Sequence, residues 1–166
     1  MTVSGVRLRI VTQDISDRGS KALEKPLGAD IYIGIEDLTG PARETKGLLV
    51  QAKMRKYLHS MSLKEDCEKM LRRSKASYVW VYDERGLKVL DAQQIVGDPD
   101  HLSPNTKQRL PSTLFSRVLK CVEGDRALGL PDVSGNPKEQ RHALARQLEN
   151  LRIPRVISFS LLRNEK

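Results

Sequence analysis

Apolar and basic residues alternate over Val6-Arg7-Leu8-Arg9-Ile10-Val11-Thr12, the two-residue period of a strand with one wet face. The period returns over Gly28–Glu36, where Ile31, Ile33 and Ile35 share one face and Asp30, Tyr32, Gly34 and Glu36 the other. Lys46–Lys53 reads as a third strand, with Leu49, Gln51 and Lys53 opposite Leu48, Val50 and Ala52. The pattern then becomes helical. Ser62-Leu63-Lys64-Glu65 has the form of a capping box, and Leu63, Cys67, Met70 and Leu71 make an apolar stripe running to about Ser74. Ser77–Tyr82 is a nearly continuous apolar run, the signature of a central strand with parallel neighbours. Its aromatics, Tyr78, Trp80 and Tyr82, read as core rather than as a stacking platform. Leu87–Leu90 continues as a strand, with Ile95-Val96 as a further edge segment.

The second half alternates loops with two more helices. The turn-rich loops are Gly97–Pro111 and Gly124–Gly135. Leu114, Phe115, Val118, Leu119 and Val122 predict an amphipathic helix after Ser112. Asn136-Pro137-Lys138-Glu139 opens another, whose buried side is Leu144, Leu148 and Leu151 and which stops at Pro154. Val156–Leu162 reads as a last strand. Together these elements predict one α/β domain over residues 1–166, a central mixed sheet flanked by helices. The length suffices for a core of its own.

Composition narrows the partners. The chain is 39% hydrophobic and 30% charged, which is globular rather than disordered. No apolar run approaches the ~20 residues of a membrane span, and no leader pattern opens the chain, so a cytoplasmic location and no membrane contact are expected. Cys67 and Cys121 lack metal-ligand spacing and read as small core residues in a reducing compartment. The formal net charge is +8, and twelve Lys and Arg stand against six acids between Ala42 and Lys88. That excess favours a polyanionic partner. There is no internal repeat, P-loop, dinucleotide glycine pattern or zinc-finger spacing.

Candidate chemistry lies on the second and third strands. Paired as a hairpin, they would set the Asp30 carboxylate beside the Gln51 amide and the Lys53 ammonium. Magnesium is typically held by one or two carboxylates plus water and substrate phosphate. A lysine beside such a site meets the negative charge that grows on a phosphodiester in its transition state. The same residues also fit a strand end whose lysine simply reaches solvent.

Gly28-Ala29-Asp30, a strand, a variable loop and an apolar strand ending in Gln51-Ala52-Lys53 resemble the PD-(D/E)xK nuclease superfamily. The likeness is to its QxK variant, found among modification-dependent restriction endonucleases, and it covers about residues 5–95, with the helices and strand of 112–162 following. The resemblance implies a restriction-endonuclease-like fold and a metal-dependent endonuclease acting on DNA, in restriction or defence. It implies that Asp30, Gln51 and the Ala52 carbonyl bind Mg2+ or Mn2+, and that Lys53 orients water or stabilises the transition state. Arg55 and Lys56 would contact nucleic-acid phosphates. Glu36, on the face of Asp30, is a weaker candidate for a second carboxylate, and Glu65, beside Asp66 on the following helix, another. Such nucleases usually begin with a helix that this chain lacks before Val6, which raises an upstream domain or a partner as its source. Cutting both strands makes a homodimer a further expectation. The alternative is a nuclease-like domain without catalysis that binds nucleic acid or joins a larger complex, consistent with the neutral Gln51.

Overall fold

The computed structural model of the protein describes residues 2–3, 6–14, 26–98, 107–132 and 137–163. Its strands are β1 (Thr2–Val3), β2 (Val6–Asp14), β3 (Ile31–Leu38), β4 (Glu44–Met54), β5 (Ser77–Asp83), β6 (Gly86–Asp91) and β7 (Arg155–Arg163). The helices are α1 (Met61–Arg73), α2 (Ala92–Gly97), α3 (Pro111–Leu119) and α4 (Pro137–Leu151), with 3-10 turns at Arg55–Tyr57 and Arg126–Leu128. All seven strands join one mixed sheet in the order β1-β2-β7-β3-β4-β5-β6, so the molecule is a single α/β domain. No helix among the described residues is long and apolar enough to cross a membrane.

The sheet grows from two hairpins. β3 and β4 pair antiparallel, with Ile31 opposite Val50 and Gly34 opposite Gly47. β5 and β6 pair antiparallel around a tight turn at Gly86. Helix α1 carries the chain from β4 to β5, which lie parallel as a helical crossover requires. β5 therefore has one parallel and one antiparallel neighbour, and its last aromatic, Tyr82, is 44% exposed instead of lying in the core. The C-terminal strand β7 inserts between β2 and β3, antiparallel to the first and parallel to the second.

One face of the sheet is covered by α1, α2 and α4. Leu63, Cys67 and Met70 of α1 and Leu144, Leu148 and Leu151 of α4 are buried there with Tyr32, Leu49, Val79 and Leu90. Full burial of one such side chain is worth about 1.5–3 kcal/mol. The other face packs Ile33, Leu48, Val50, Tyr78 and Val89 against Leu114 and Val118 of α3.

Several boundaries depart from the sequence-based expectations. The N-cap of α1 is Ser60, not Ser62, and no side-chain cap bond forms, so Glu65 has no capping role. Ser62 lies inside the first turn, its hydroxyl bonded to that of Ser60 at 3.2 Å. Ile95 and Val96 belong to helix α2, because Ala92 and Ile95, three apart, bury together. Helix α3 stops at Leu119, before Cys121 adopts φ 60, and this leaves Leu119, Val122 and Cys121 exposed. The expected Asn136 cap and the middle of the Gly97–Pro111 loop, positions 99–106, lie outside the described residues.

A closed ionic network pins the α3 side. Glu123 accepts from Tyr78 at 3.0 Å and from Arg109 and Arg117, while Arg109 also meets Asp91. Burial pushes the Glu123 carboxyl up, but the hydrogen bonds from Arg117, Arg109 and Tyr78 outweigh it and hold the group below the usual carboxylate range. A depressed carboxyl contributes stability above its unfolded pKa of about 4.3, and that stability is lost as pH falls through the folded value. Glu123→Gln is therefore expected to lower the melting temperature at pH 7 and to flatten its decline below about pH 4.3. Parallel melting curves of variant and parent across that range check this.

Candidate functional site

The site forms where β3 begins and β4 ends. Gly28, at φ +68, turns the chain into β3, and an added Cβ there would come 2.4 Å from the Asp66 carbonyl oxygen on α1. Only glycine meets both conditions, so helix α1 packs directly on the turn that delivers Asp30. The Asp30 N–H donates to the Val50 carbonyl at 2.8 Å, extending the β3–β4 ladder by one residue. This sets Asp30 across from Gln51, on the sheet face covered by α1.

Asp30 is fixed by the strand beside it, its Oδ2 accepting from the Ala52 N–H at 2.9 Å. In an extended strand one residue's N–H and carbonyl point to the same side. The Ala52 carbonyl therefore lies on the β3 side of the strand as well. Gln51 is 2% exposed, beside Val79 of β5 at 0%, and its Oε1 is buried with no hydrogen-bond donor among the described residues. Leaving a buried amide oxygen unpaired costs about 1–3 kcal/mol, so this atom calls for a partner such as water or a cation.

Lys53, two residues on, shares this face and lies 3.8 Å from Asp66 Oδ2, both side chains about one-fifth exposed or less. Asp66 also faces Lys69 at 3.8 Å. Asp66 is thus the helical acid that reaches the site, whereas Glu65 is exposed. The helical phase carried this signal. Asp66 lies three residues after Leu63 and four before Met70, on the buried side, while Glu65, two after Leu63, points away. Next to Asp66, burial first, and then the Asp66 charge, pushes the Cys67 thiol up to about 12, which leaves it inert as a nucleophile at neutral pH.

Glu36 stands apart from this cluster. It lies six residues along β3 from Asp30, about 20 Å on a strand, and is held by Arg43 at 2.7 Å. It supplies no second carboxylate at Asp30. Arg55 pairs with Asp83 at 3.5 Å, and Lys56 lies over the Tyr57 ring at 4.9 Å. Both line an open hollow with His59, Tyr82 and Arg85, immediately beyond Lys53 on β4. Tyr82, which lines it, is 44% exposed, and Tyr57, next to Lys56 in sequence, is 53% exposed. The cluster thus has a carboxylate, two neutral oxygens and an ammonium at its centre, with cations and aromatic faces outside.

Among the described residues no group of three or more His, Cys, Asp and Glu is placed to hold a metal. A cation at Asp30 would need the Gln51 and Ala52 oxygens together with water and substrate oxygens. Magnesium accepts such a set, since it keeps several waters and binds through one or two carboxylates. No protein-family model, no curated protein and no solved structure matches the chain.

Proposed function

We propose that the protein is a metal-dependent endonuclease of the PD-(D/E)xK type, with a restriction-endonuclease-like core, that hydrolyses DNA phosphodiester bonds in restriction or defence. The observation that carries this reading is the buried Gln51 Oε1, without a hydrogen-bond partner among the described residues, on the residue next to Ala52, whose N–H holds the Asp30 carboxylate. Asp30, Gln51 and the Ala52 carbonyl would hold Mg2+ or Mn2+. Such a cation supplies Lewis-acid stabilisation of a phosphoryl oxygen and a lowered pKa for the attacking water. Asp30 brings the charge that offsets the cation, and the Ala52 N–H keeps its carboxylate in place. Lys53, held by Asp66, sets a positive charge on the same face where negative charge grows on the phosphodiester. Arg55, Lys56 and Arg85 around the neighbouring hollow supply sequence-independent contacts to the substrate backbone.

Supercoiled plasmid and single-stranded DNA incubated with Mg2+, Mn2+ or a chelator test this reading. Nicking or cutting with metal and none with chelator is expected. A second reading, a nuclease-like module that binds nucleic acid without cleaving it, is favoured by the absence of a three-acid cluster among the described residues. Salt-sensitive DNA binding that persists in chelator, with no nicking under any condition, would establish that reading instead.

A further inference from the structure

A second site lies at the opposite end of the same sheet face, where α4 packs on β7 beside β2. On β7 the covered positions are not apolar. Ser158 and Ser160 are 5% and 4% exposed, while Ile157, Phe159 and Leu161 point to the more open face. A strand packed beneath a helix ordinarily puts valine or isoleucine there. Here two hydroxyls form the floor of a cavity of about 230 Å3.

The walls combine charge with apolar surface. Arg9, opposite Ser160 on β2, approaches that hydroxyl at 3.5 Å and Glu36 at 4.0 Å, contacts at the limit of a bond. Its Nε is buried and has no acceptor among the described residues. Arg43 holds Glu36 through Nε at 2.7 Å and the carbonyls of Leu130 and Pro131 through one terminal nitrogen at 3.1 and 3.0 Å. Arg141 on α4 reaches the rim and has no ion-pair partner among the described residues. Three guanidinium groups thus face one carboxylate. Leu130, Leu144 and Val11 form the apolar side.

We infer that this cavity binds a small organic oxyanion, a carboxylate or phosphate group carried on a compact apolar body. The Arg9 guanidinium, short of acceptors, takes the anion in the bidentate geometry that suits planar oxyanions. Ser160 donates from the floor, while the Ser158 hydroxyl donates to the Val11 carbonyl at 3.3 Å, and the apolar body lies against Leu130 and Leu144. The cavity is below the ~300 Å3 at which pockets for drug-sized ligands begin, which limits the ligand to a single ring or short chain. The inference does not depend on the nuclease reading, because none of these residues belongs to the Asp30 cluster.

Titration of the full chain with phenyl phosphate, benzoate and neutral benzyl alcohol, followed by 1H–15N NMR, tests it. Both anions are expected to give saturable shifts at the Arg9 Nε–H and at the Ser158, Ser160 and Arg141 amides, with benzyl alcohol giving none. Arg9→Gln and Arg141→Gln should each weaken binding about tenfold, the worth of one charge-assisted hydrogen bond, while Lys53→Ala leaves it unchanged. If Arg9→Gln fails to fold, the surface variant Arg141→Gln decides. No saturable shift at these residues, equal binding of benzyl alcohol, or loss of binding in Lys53→Ala but not in the arginine variants would overturn the inference.

Discussion

Asp30→Asn and Lys53→Ala are each expected to reduce metal-dependent plasmid cleavage by a factor of about 10^2–10^3 or more. Asparagine is the sharper test at position 30. It keeps an oxygen that can accept from the Ala52 N–H at 2.9 Å, so the end of the β3–β4 hairpin stays in place. It removes the charge that a divalent cation needs when its other protein ligands are the neutral oxygens of Gln51 and Ala52. Lys53→Ala leaves that set intact and removes the positive charge facing the phosphodiester, so metal should still bind while the chemical step slows. The substitution also strips Asp66 of one cationic neighbour, but Lys69 remains 3.8 Å away. Circular dichroism and melting curves should therefore stay close to those of the parent protein. Unchanged cleavage in both variants would remove these residues from the mechanism.

Gly47→Ala is expected to lower the melting temperature by about 6–12 °C, the equivalent of about 3 kcal/mol in a chain of this size. Gly47 sits mid-strand on β4, where its N–H donates to the Asp125 carbonyl at 2.9 Å and its own carbonyl accepts from the Asp125 N–H at 3.1 Å. This bridge draws the 3-10 turn at Arg126–Leu128 down onto the sheet. A Cβ at Gly47 would fall 2.0 Å from the Leu128 carbonyl oxygen and 2.7 Å from the Tyr32 ring. Neither neighbour can give way, because the Leu128 carbonyl is the acceptor for the buried Tyr32 hydroxyl at 2.6 Å. Burial, its largest influence, raises the pKa of that hydroxyl, so it remains a donor across the ordinary pH range. Gly40→Ala is the control. Its Cβ would meet only the Ala42 carbonyl oxygen, at 3.7 Å, and its effect should stay within about 0.5 kcal/mol. Differential scanning calorimetry of the two variants makes the comparison, and a Gly47→Ala melt within 2 °C of the Gly40→Ala melt would contradict this packing.

Periodicity made most elements legible. The alternation over Val6–Thr12, the stripe Leu63-Cys67-Met70 and the stripe Leu144-Leu148-Leu151 all correspond to observed strands or helices, because one-sided burial leaves a period that needs no tertiary knowledge. Pairing partners leave no such trace. Nothing in Val156–Leu162 shows that it enters between β2 and β3, a long-range choice made by which faces α4 can cover. The buried serines of β7 were illegible for the same reason, since polar positions in an alternating strand read as the wet face. Ile95-Val96 has a strand-like sequence yet lies in a helix, because a six-residue helix is too short to display its period. At the candidate site, the juxtaposition of Asp30 and Gln51 follows from hairpin register and could be anticipated from the two strands. The choice of Asp66 over Glu65 required the helical phase to be followed past an apparent capping box. That Gln51 Oε1 lacks a donor among the described residues depends on tertiary packing, which no local pattern encodes.

The most direct measurement is a Mn2+ titration of the full chain observed by 1H–15N NMR. Paramagnetic broadening is expected first at the Gln51 side-chain amide and at the backbone amides of Asp30, Ala52 and Lys53, to be reversed by excess Mg2+ and to vanish in Asp30→Asn. Broadening centred on other acids, such as Glu36 or Asp83, or none that is specific to a site, would contradict a cation held between Asp30 and Gln51.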